Sequence, residues 1–133
     1  MSRTESFFDS NVLLYLISAD VTKSAIAERL LTQGGVISVQ VLSEFASVAS
    51  RKSKMSYAEI HEALGVIRHF CRVEPITIET HELGLGYVGQ YGYSVYDAMI
   101  LAAATLAGCS EVLSQDLQTD HAITPDLVVR NPF

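Results

Sequence analysis

Short apolar runs rich in β-branched residues alternate along this chain with longer segments of helical periodicity, and this alternation restricts the fold more than any other feature. Residues 36–39, Val-Ile-Ser-Val, lead directly into an amphipathic segment over residues 40–50. Strands that alternate with helices favour a parallel sheet with right-handed crossover connections. We therefore expect an α/β fold in which helices flank a central parallel β-sheet. The predicted strands are residues 5–10, 36–39, 73–78, 111–114 and 127–130.

Residues that suit helix starts precede several of the helical segments. Ser56 with Glu59 three positions later predicts a capping box. Thr22 and Ser94 suit the N-caps of two further helices. Pro75 indicates an edge position for the strand over residues 73–78, because proline cannot donate a hydrogen bond to a neighbouring strand. The predicted helices are residues 11–18, 23–33, 40–50, 57–71, 79–91 and 95–107.

Four acidic residues lie near the carboxyl ends of predicted strands or in the helices that follow them. In a parallel sheet this edge is where ligands bind, so we expect the four side chains to converge. Converging carboxylates repel one another unless cations neutralise them. A lone Asp after a strand is usually a helix cap or turn residue. Glu caps poorly, however, and Glu44 lies on a largely apolar helix, where a carboxylate requires a partner or an ion. The four acids are Asp9, Glu44, Asp97 and Asp116.

The four acids predict a divalent metal site, and the type of ligand indicates which ion binds and which reaction it supports. Oxygen ligands without histidine or thiolate favour Mg²⁺ or Mn²⁺ over Zn²⁺. Such a site can activate water and polarise a phosphoryl oxygen, which points to hydrolysis of phosphodiester bonds. Nearby hydroxyl and amide side chains could orient the carboxylates or cap backbone amides. These polar residues are Ser10, Asn11, Ser38 and Ser114.

Composition narrows the functional classes. The chain has 133 residues, which we expect to form one domain, and a net charge of −6, which argues against a protein that coats duplex DNA. Arg51, Lys52 and Lys54 form a basic cluster that fits a solvated helix end better than a nucleic-acid contact. The 49% hydrophobic content fits either a buried partner surface or an apolar core. We expect Cys71 and Cys109 to be reduced. With neither a secretory signal nor a membrane span, the expected location is the cytoplasm.

Three further motifs favour structural interpretations. Residues 84–89 match GxGxxG, but they do not directly follow a strand and open a helix, so we exclude dinucleotide binding. The tyrosines over residues 87–96 favour core or interface packing over base stacking. The four histidines share no metal-ligand spacing. Only His121, close after Asp116, is a candidate for touching a substrate.

At the acidic residues the chain resembles a PIN domain, and more narrowly the VapC-type ribonuclease toxins of bacterial toxin–antitoxin pairs. The resemblance rests on the order and separation of four motifs and covers nearly the whole chain, which it implies is a single PIN domain over residues 1–133. It also implies a three-layer sandwich with a central parallel sheet. The motifs are FDSNVL at residues 8–13, SVQVLSEF at 38–45, YDAMI at 96–100 and LSQDLQ at 113–118.

The resemblance implies an endoribonuclease that depends on Mg²⁺ or Mn²⁺, forms a homodimer and is inhibited by a cognate antitoxin covering its acidic pocket. By motif, the four acids become the catalytic and metal-binding residues, and Asn11 and Ser114 their supporting residues. Ser10 stands where threonine is usual. Asp120 and His121 replace residues that are commonly small or apolar, which leaves their role open.

Two other classes of function remain open from the sequence. One is a different phosphoryl enzyme, but a haloacid-dehalogenase-like fold requires Asp-x-Asp after its first strand, and here Asn11 occupies the third position. A receiver-like fold requires an acidic pair and a late lysine that are both missing. The other class is a non-catalytic module that uses the acidic pocket to bind a basic partner.

Overall fold

The computed structural model describes residues 5–133 and places a six-stranded sheet at the centre of that part of the chain. The strand order is β3-β2-β1-β4-β6-β5, and every neighbouring pair is parallel except β5 with β6. The prediction of a mainly parallel sheet is confirmed, whereas the antiparallel β5 was not predicted. The strands are β1 (Ser6–Phe8), β2 (Gly35–Ser38), β3 (Cys71–Glu74), β4 (Glu111–Leu113), β5 (Ala122–Thr124) and β6 (Leu127–Arg130).

The strand predicted at residues 73–78 begins and ends earlier than expected. It follows α4 without a loop, because its first residue pairs with Gly35 at the start of β2. Pro75 ends the pairing, and β3 is an outermost strand of the sheet, as the proline predicted. At the opposite edge, β5 is three residues long and its pairing with β6 is irregular.

The helices agree with the predicted segments to within a few residues. The capping box of Ser56 and Glu59 is confirmed, as is Ser94 as the N-cap of the alanine-rich helix. The cap predicted at Thr22 is wrong, because Asp20 accepts the hydrogen bond from the backbone N–H of Lys23 at 3.1 Å. The helices are α1 (Ser10–Leu14), α2 (Val21–Gln33), α3 (Val39–Arg51), α4 (Tyr57–Phe70), α5 (Ile78–Tyr91) and α6 (Val95–Leu106), with a 3-10 turn at Tyr15–Ile17.

The helices form two packed groups, α1–α4 and α5–α6, and members of both groups contact the sheet. The central strands are therefore buried on both faces, which explains why they are continuous apolar runs and do not alternate apolar with polar residues. Phe7, Val36 and Val112 are fully buried on three neighbouring strands. Within residues 5–133, no helix is both long and apolar enough to cross a membrane. The expected domain span includes residues 1–4, which lie outside the described residues.

Close packing explains two of the glycines. A Cβ atom on Gly35 would lie 2.7 Å from the Phe8 ring and 2.8 Å from the Ser6 carbonyl oxygen, so only glycine fits there. Gly84 lies inside α5, where a Cβ would lie 3.2 Å from the Met99 side chain of α6. The GxGxxG match is therefore in the middle of a helix. Its first glycine permits helix packing, as expected, whereas Gly86 faces open space.

Candidate functional site

Asp9 follows the last residue of β1 and is the N-cap of α1, so it lies at the carboxyl edge of the sheet. Its backbone N–H donates to the carbonyl oxygen of Leu113 at 3.0 Å, which extends the pairing of β1 with β4 by one residue. Its carboxylate oxygen Oδ1 accepts from the backbone N–H of Ser10 at 2.8 Å. The strand and the helix together hold this carboxylate in place, and only 6% of the residue is exposed.

Burial makes Asp9 an unusual carboxyl group. It raises the pKa from 3.8 to about 6, although hydrogen bonds from Ser114 and Ser10 lower it. The negative charges of Glu44 and Asp97 raise the pKa of Asp9 further, which places both of these acids within electrostatic reach of it. Burial and the neighbouring negative charges both disfavour the carboxylate anion of Asp9. A positive charge next to it would stabilise this ionised form.

Asn11 connects Asp9 to Asp116. Its side-chain amide Nδ2 donates to Asp9 Oδ2 at 3.2 Å and to Asp116 Oδ2 at 3.3 Å. Its Oδ1 accepts from the backbone N–H of Gln115 at 2.9 Å, which fixes the orientation of the amide. The loop after β4 is therefore held against the start of α1, and two of the four predicted acids share one donor.

Ser114 supports the same pair of acids from the end of β4. Its hydroxyl donates to Asp9 Oδ2 at 2.9 Å, and its Oγ accepts from the backbone N–H groups of Asp116 and Leu117, both at 3.2 Å. The side chain is fully buried. Ser114 thus sets both the position of the Asp9 carboxylate and the path of the backbone at Asp116.

Glu44 joins the cluster through two donors. The Ser10 hydroxyl donates to Glu44 Oε1 at 3.1 Å, and the Gln40 amide donates to Glu44 Oε2 at 3.2 Å. The same amide also donates to the carbonyl oxygen of Tyr96, at 3.0 Å. Gln40 therefore ties the start of α3 to the start of α6, where Asp97 lies. Sequence reasoning missed Gln40, although its spacing of four residues from Glu44 places both on one face of α3.

Asp97 is the acid with the fewest contacts. Its backbone N–H donates to the Ser94 cap at 3.2 Å, and its side chain is exposed and forms no hydrogen bond within residues 5–133. Its charge acts on Asp9, and it also adds to the effect of burial in raising the pKa of Tyr93. Asp116 is exposed as well. The structure links Asp9, Glu44 and Asp116 by hydrogen bonds and brings in Asp97 through its charge alone.

Ser38, one of the nearby polar residues expected to orient the carboxylates, lies apart from this hydrogen-bond network. Ser38 ends β2 beside the end of β1, and the residue is 1% exposed. Its hydroxyl is a buried polar group with no hydrogen-bond partner among the described residues. The expectation that Ser38 orients a carboxylate is therefore not supported by any contact.

The carboxylates fit a divalent ion that retains part of its water shell. Within residues 5–133, no three Asp, Glu, His or Cys side chains are grouped closely enough to bind one ion directly. Mg²⁺ commonly takes only one or two protein carboxylates and keeps several waters, so a full protein cage is not required. Asp9 supplies a buried carboxylate that has no positive partner among residues 5–133, and Glu44 and Asp97 add negative charge around it. All of these candidate metal ligands are carboxylate oxygens, the ligand type that Mg²⁺ and Mn²⁺ prefer.

Asp120 and His121 have contacts outside the acidic cluster. Asp120 has a positive φ of 64° and forms an ion pair with Arg130, which fixes the turn before β5. His121 Nδ1 lies 2.6 Å from the Tyr93 hydroxyl, and its ring contacts Tyr91 edge-on at 4.6 Å between centroids. His121 therefore attaches the start of the β5–β6 hairpin to the end of α5, whereas Asp120 is paired with Arg130 of the hairpin itself. Tyr91 packs against Tyr87 and Tyr93, as expected for core or interface aromatics, whereas Tyr96 is 69% exposed.

Comparison with known proteins adds a family and a set of related folds. A model of the PIN domain family matches residues 6–122 of the chain. No curated protein matches the chain. A solved toxin–antitoxin complex from Klebsiella pneumoniae has a TM-score of 0.72 at 22% identity, over 96% of this chain and 98% of that chain.

Two further solved structures have the same fold. The VapC20 toxin of Mycobacterium tuberculosis, which cleaves the sarcin–ricin loop, has a TM-score of 0.68 at 20% identity, over 84% of this chain and 89% of that chain. DNA-bound VapBC from Salmonella typhimurium has a TM-score of 0.66 at 19% identity, over 98% and 100% of the two chains. The PIN-like architecture expected from the sequence is confirmed.

Proposed function

Because the chain belongs to the PIN domain family, we propose that it is a metal-dependent endoribonuclease and the toxin of a toxin–antitoxin pair. The observation that carries the proposal is the buried Asp9 carboxylate, whose pKa of about 6 reflects burial and two neighbouring acids. A cation would stabilise the ionised form of such a group, and the carboxylate oxygens around it suit Mg²⁺ or Mn²⁺. We also propose a single PIN domain over residues 1–133 that works in the cytoplasm.

The four acids divide two functions between them in the proposed reaction. Asp9, Glu44 and Asp97 hold the cation, directly or through water, and Asp116 completes the site or positions the attacking water. Asn11 keeps Asp9 and Asp116 at a fixed separation, because one amide group donates to both. The bound ion supplies water activation and neutralises charge on the phosphoryl group.

Cleavage of RNA with and without Mg²⁺ or Mn²⁺ tests the proposal. We expect Asp9→Asn and Asp97→Asn each to reduce the rate at least a hundredfold, since each removes a charge that holds the ion. Asp126→Asn is the matched control, because Asp126 is an exposed acid in the turn between β5 and β6. Undiminished cleavage in either of the first two variants would refute the assignment.

A non-catalytic module that uses the acidic pocket only to bind a basic protein is the alternative. Calorimetry with Mn²⁺ separates the two functions, because a simple interaction module has no need of a metal ion. Heat of binding that disappears in Asp9→Asn favours the nuclease, and the absence of binding favours the module.

The proposed protein partners are a cognate antitoxin and a second copy of the chain. Asp97 and Asp116 are exposed at the mouth of the site, so a basic side chain of an antitoxin could reach them.

Apolar side chains are also exposed on α5 and α6, including Ile78 at 73% and Leu85 at 46%, which supports a homodimer. Light scattering on the purified chain measures the dimer directly, and a mass equal to one chain at micromolar concentration would contradict it.

A further inference from the structure

A cleft of about 460 Å³ opens beside the acidic cluster. Asn11 and Asp116 form part of its wall, so it is continuous with the proposed catalytic site. From there its wall continues along the 3-10 turn and the second half of α3, where Tyr15, Val48 and Lys52 line it. The volume lies within the range of roughly 300–1,000 Å³ that small-ligand sites occupy.

The face of α3 that leads from the acidic cluster into the cleft changes from negative to positive along the helix, although Glu44 itself does not line the cleft. Glu44, Val48 and Lys52 are spaced four residues apart, so they follow one another along one face of α3. The helical rise places Lys52 about 12 Å beyond Glu44 along the axis. Among the lining residues, Lys52 is the one cation. A strand of RNA whose scissile phosphate lies at the acids would meet Lys52 further along its backbone.

The part of the wall formed by the end of α1 and the 3-10 turn carries one apolar and one aromatic side chain among the polar lining residues. Leu14 and Tyr15 line the cleft there, and Tyr15 is held in place by its neighbours. Lys23 Nζ lies 3.3 Å from the Tyr15 hydroxyl and 5.0 Å from its ring centroid, and the Phe133 ring contacts Tyr15 edge-on at 4.7 Å. A fixed aromatic side chain such as Tyr15 suits a nucleoside, because bases pack on aromatic surfaces without regard to sequence. Lys52, which lines the same cleft, suits the phosphate.

We propose that this cleft is a nucleotide subsite for single-stranded RNA, with Lys52 bound to a phosphate next to the scissile one. Leu14, Tyr15 and Val48 would accommodate the nucleoside between the two phosphates. A cleft of this volume accepts one nucleotide but not a base pair with both its backbones. The inference rests on the proposed function and names its substrate class. It also divides the basic cluster, because Arg51 and Lys54 do not line the cleft.

Binding of RNA measured without turnover tests the subsite even if the chain cleaves no RNA. The probe is a short fluorescein-labelled single-stranded RNA, followed by fluorescence anisotropy in the Asp9→Asn background, in which we expect no turnover. We expect Lys52→Ala to weaken binding roughly five- to tenfold and to reduce the slope of log Kd against log salt by about 0.7, the value for one phosphate contact on a single strand. Lys54→Ala is the matched control, because Lys54 is an exposed lysine two residues away.

Two results would overturn the subsite: no RNA binding above background, or equal losses in the Lys52→Ala and Lys54→Ala variants. Turnover distinguishes this failure from failure of the proposed function. Bis(p-nitrophenyl) phosphate has a phosphodiester but no neighbouring nucleotide. Lys52→Ala should therefore reduce RNA cleavage at least fivefold more than it reduces hydrolysis of this compound in Mn²⁺. If neither substrate is hydrolysed while RNA binding still depends on Lys52, the nuclease proposal fails and the RNA-binding cleft remains.

Discussion

At the scale of single residues, the site depends on one carboxylate that is costly to ionise. Asp9 is buried at the junction of a strand and a helix, where the surrounding acids oppose its negative charge. Hydrogen bonds from Ser10 and Ser114 offset only part of this cost. The folded chain without a metal ion therefore contains a destabilising feature that its proposed function would explain.

This feature gives the metal-free protein a definite pH dependence. The pKa of Asp9 is about 6 in the folded chain, raised from 3.8, so the folded state binds the extra proton between these values. The free energy of unfolding should then fall as pH rises from about 4 to about 7, by on the order of 3 kcal/mol from this group. Urea denaturation in EDTA at a series of pH values measures it. Asp9→Asn should flatten the profile and unfold at higher urea above pH 6. An identical slope in both proteins would contradict the pKa shift.

The sequence predicted the identity of the clustered acids better than it predicted their contacts. Asp9 and Asp116 were expected to converge because each follows a strand of a parallel sheet, and a shared donor now joins them. The second role of Gln40, as a donor to the Tyr96 carbonyl oxygen, depends on the fold bringing the starts of α3 and α6 together, since both helices contact β2. Tertiary packing of this kind leaves no periodic signal in a single sequence. Ser38 shows the opposite case, a polar residue near the site whose hydroxyl has no hydrogen-bond partner within residues 5–133.

At the scale of secondary structure, the local signals worked where they were strong and failed where pairing across the sheet decided the outcome. Ser56 and Glu59 set the start of α4 by a capping box that the sequence already contains. The strand β3 starts at Cys71, directly after α4, because its pairing with β2 begins there. No glycine or proline separates the helix from the strand, so the boundary has no local signal in the sequence. The strand β5 was missed because it contains no apolar run like those of β1 and β4, and only its middle residue, Ile123, is buried.

Two glycine substitutions should have opposite effects on stability. Gly35→Ala places a Cβ within 2.8 Å of both the Phe8 ring and the Ser6 carbonyl oxygen, and the backbone oxygen cannot move away freely. We expect it to destabilise the fold by about 1–3 kcal/mol, as overpacking in a core typically does. Gly86 lies inside α5, and a Cβ there would meet no atom from elsewhere in residues 5–133 within 4 Å, so Gly86→Ala should stabilise the fold by up to about 1 kcal/mol. Urea denaturation of both variants provides the comparison, and a stable Gly35→Ala would mean that β1 and β2 can separate.

At the scale of the whole molecule, the acids come from segments that are distant along the chain and meet only in the folded state. Asp9 follows β1, whereas Asp97 and Asp116 lie on α6 and after β4. A cation bound among them should stabilise the folded chain, because the unfolded chain lacks the site. Binding of the proposed cation and folding should therefore be linked.

Mn²⁺ should raise the melting temperature of the unaltered chain. At a free concentration about 100 times the dissociation constant, the added stability is about 2.7 kcal/mol. The increase should disappear in Asp9→Asn and persist in the control Asp126→Asn. Differential scanning fluorimetry with increasing Mn²⁺ measures the effect, and equal increases in all three proteins would show that the ion binds elsewhere.

The two outermost strands have a further consequence for behaviour at high concentration. On one side, β3 carries charged Arg72 and Glu74 and is followed at once by Pro75. On the other side, β5 is three residues long and irregularly paired. Short, charged or proline-flanked outer strands are poor templates for the backbone of another molecule. The chain should therefore resist fibril formation through its sheet margins, even though its central strands are among the most apolar segments it contains.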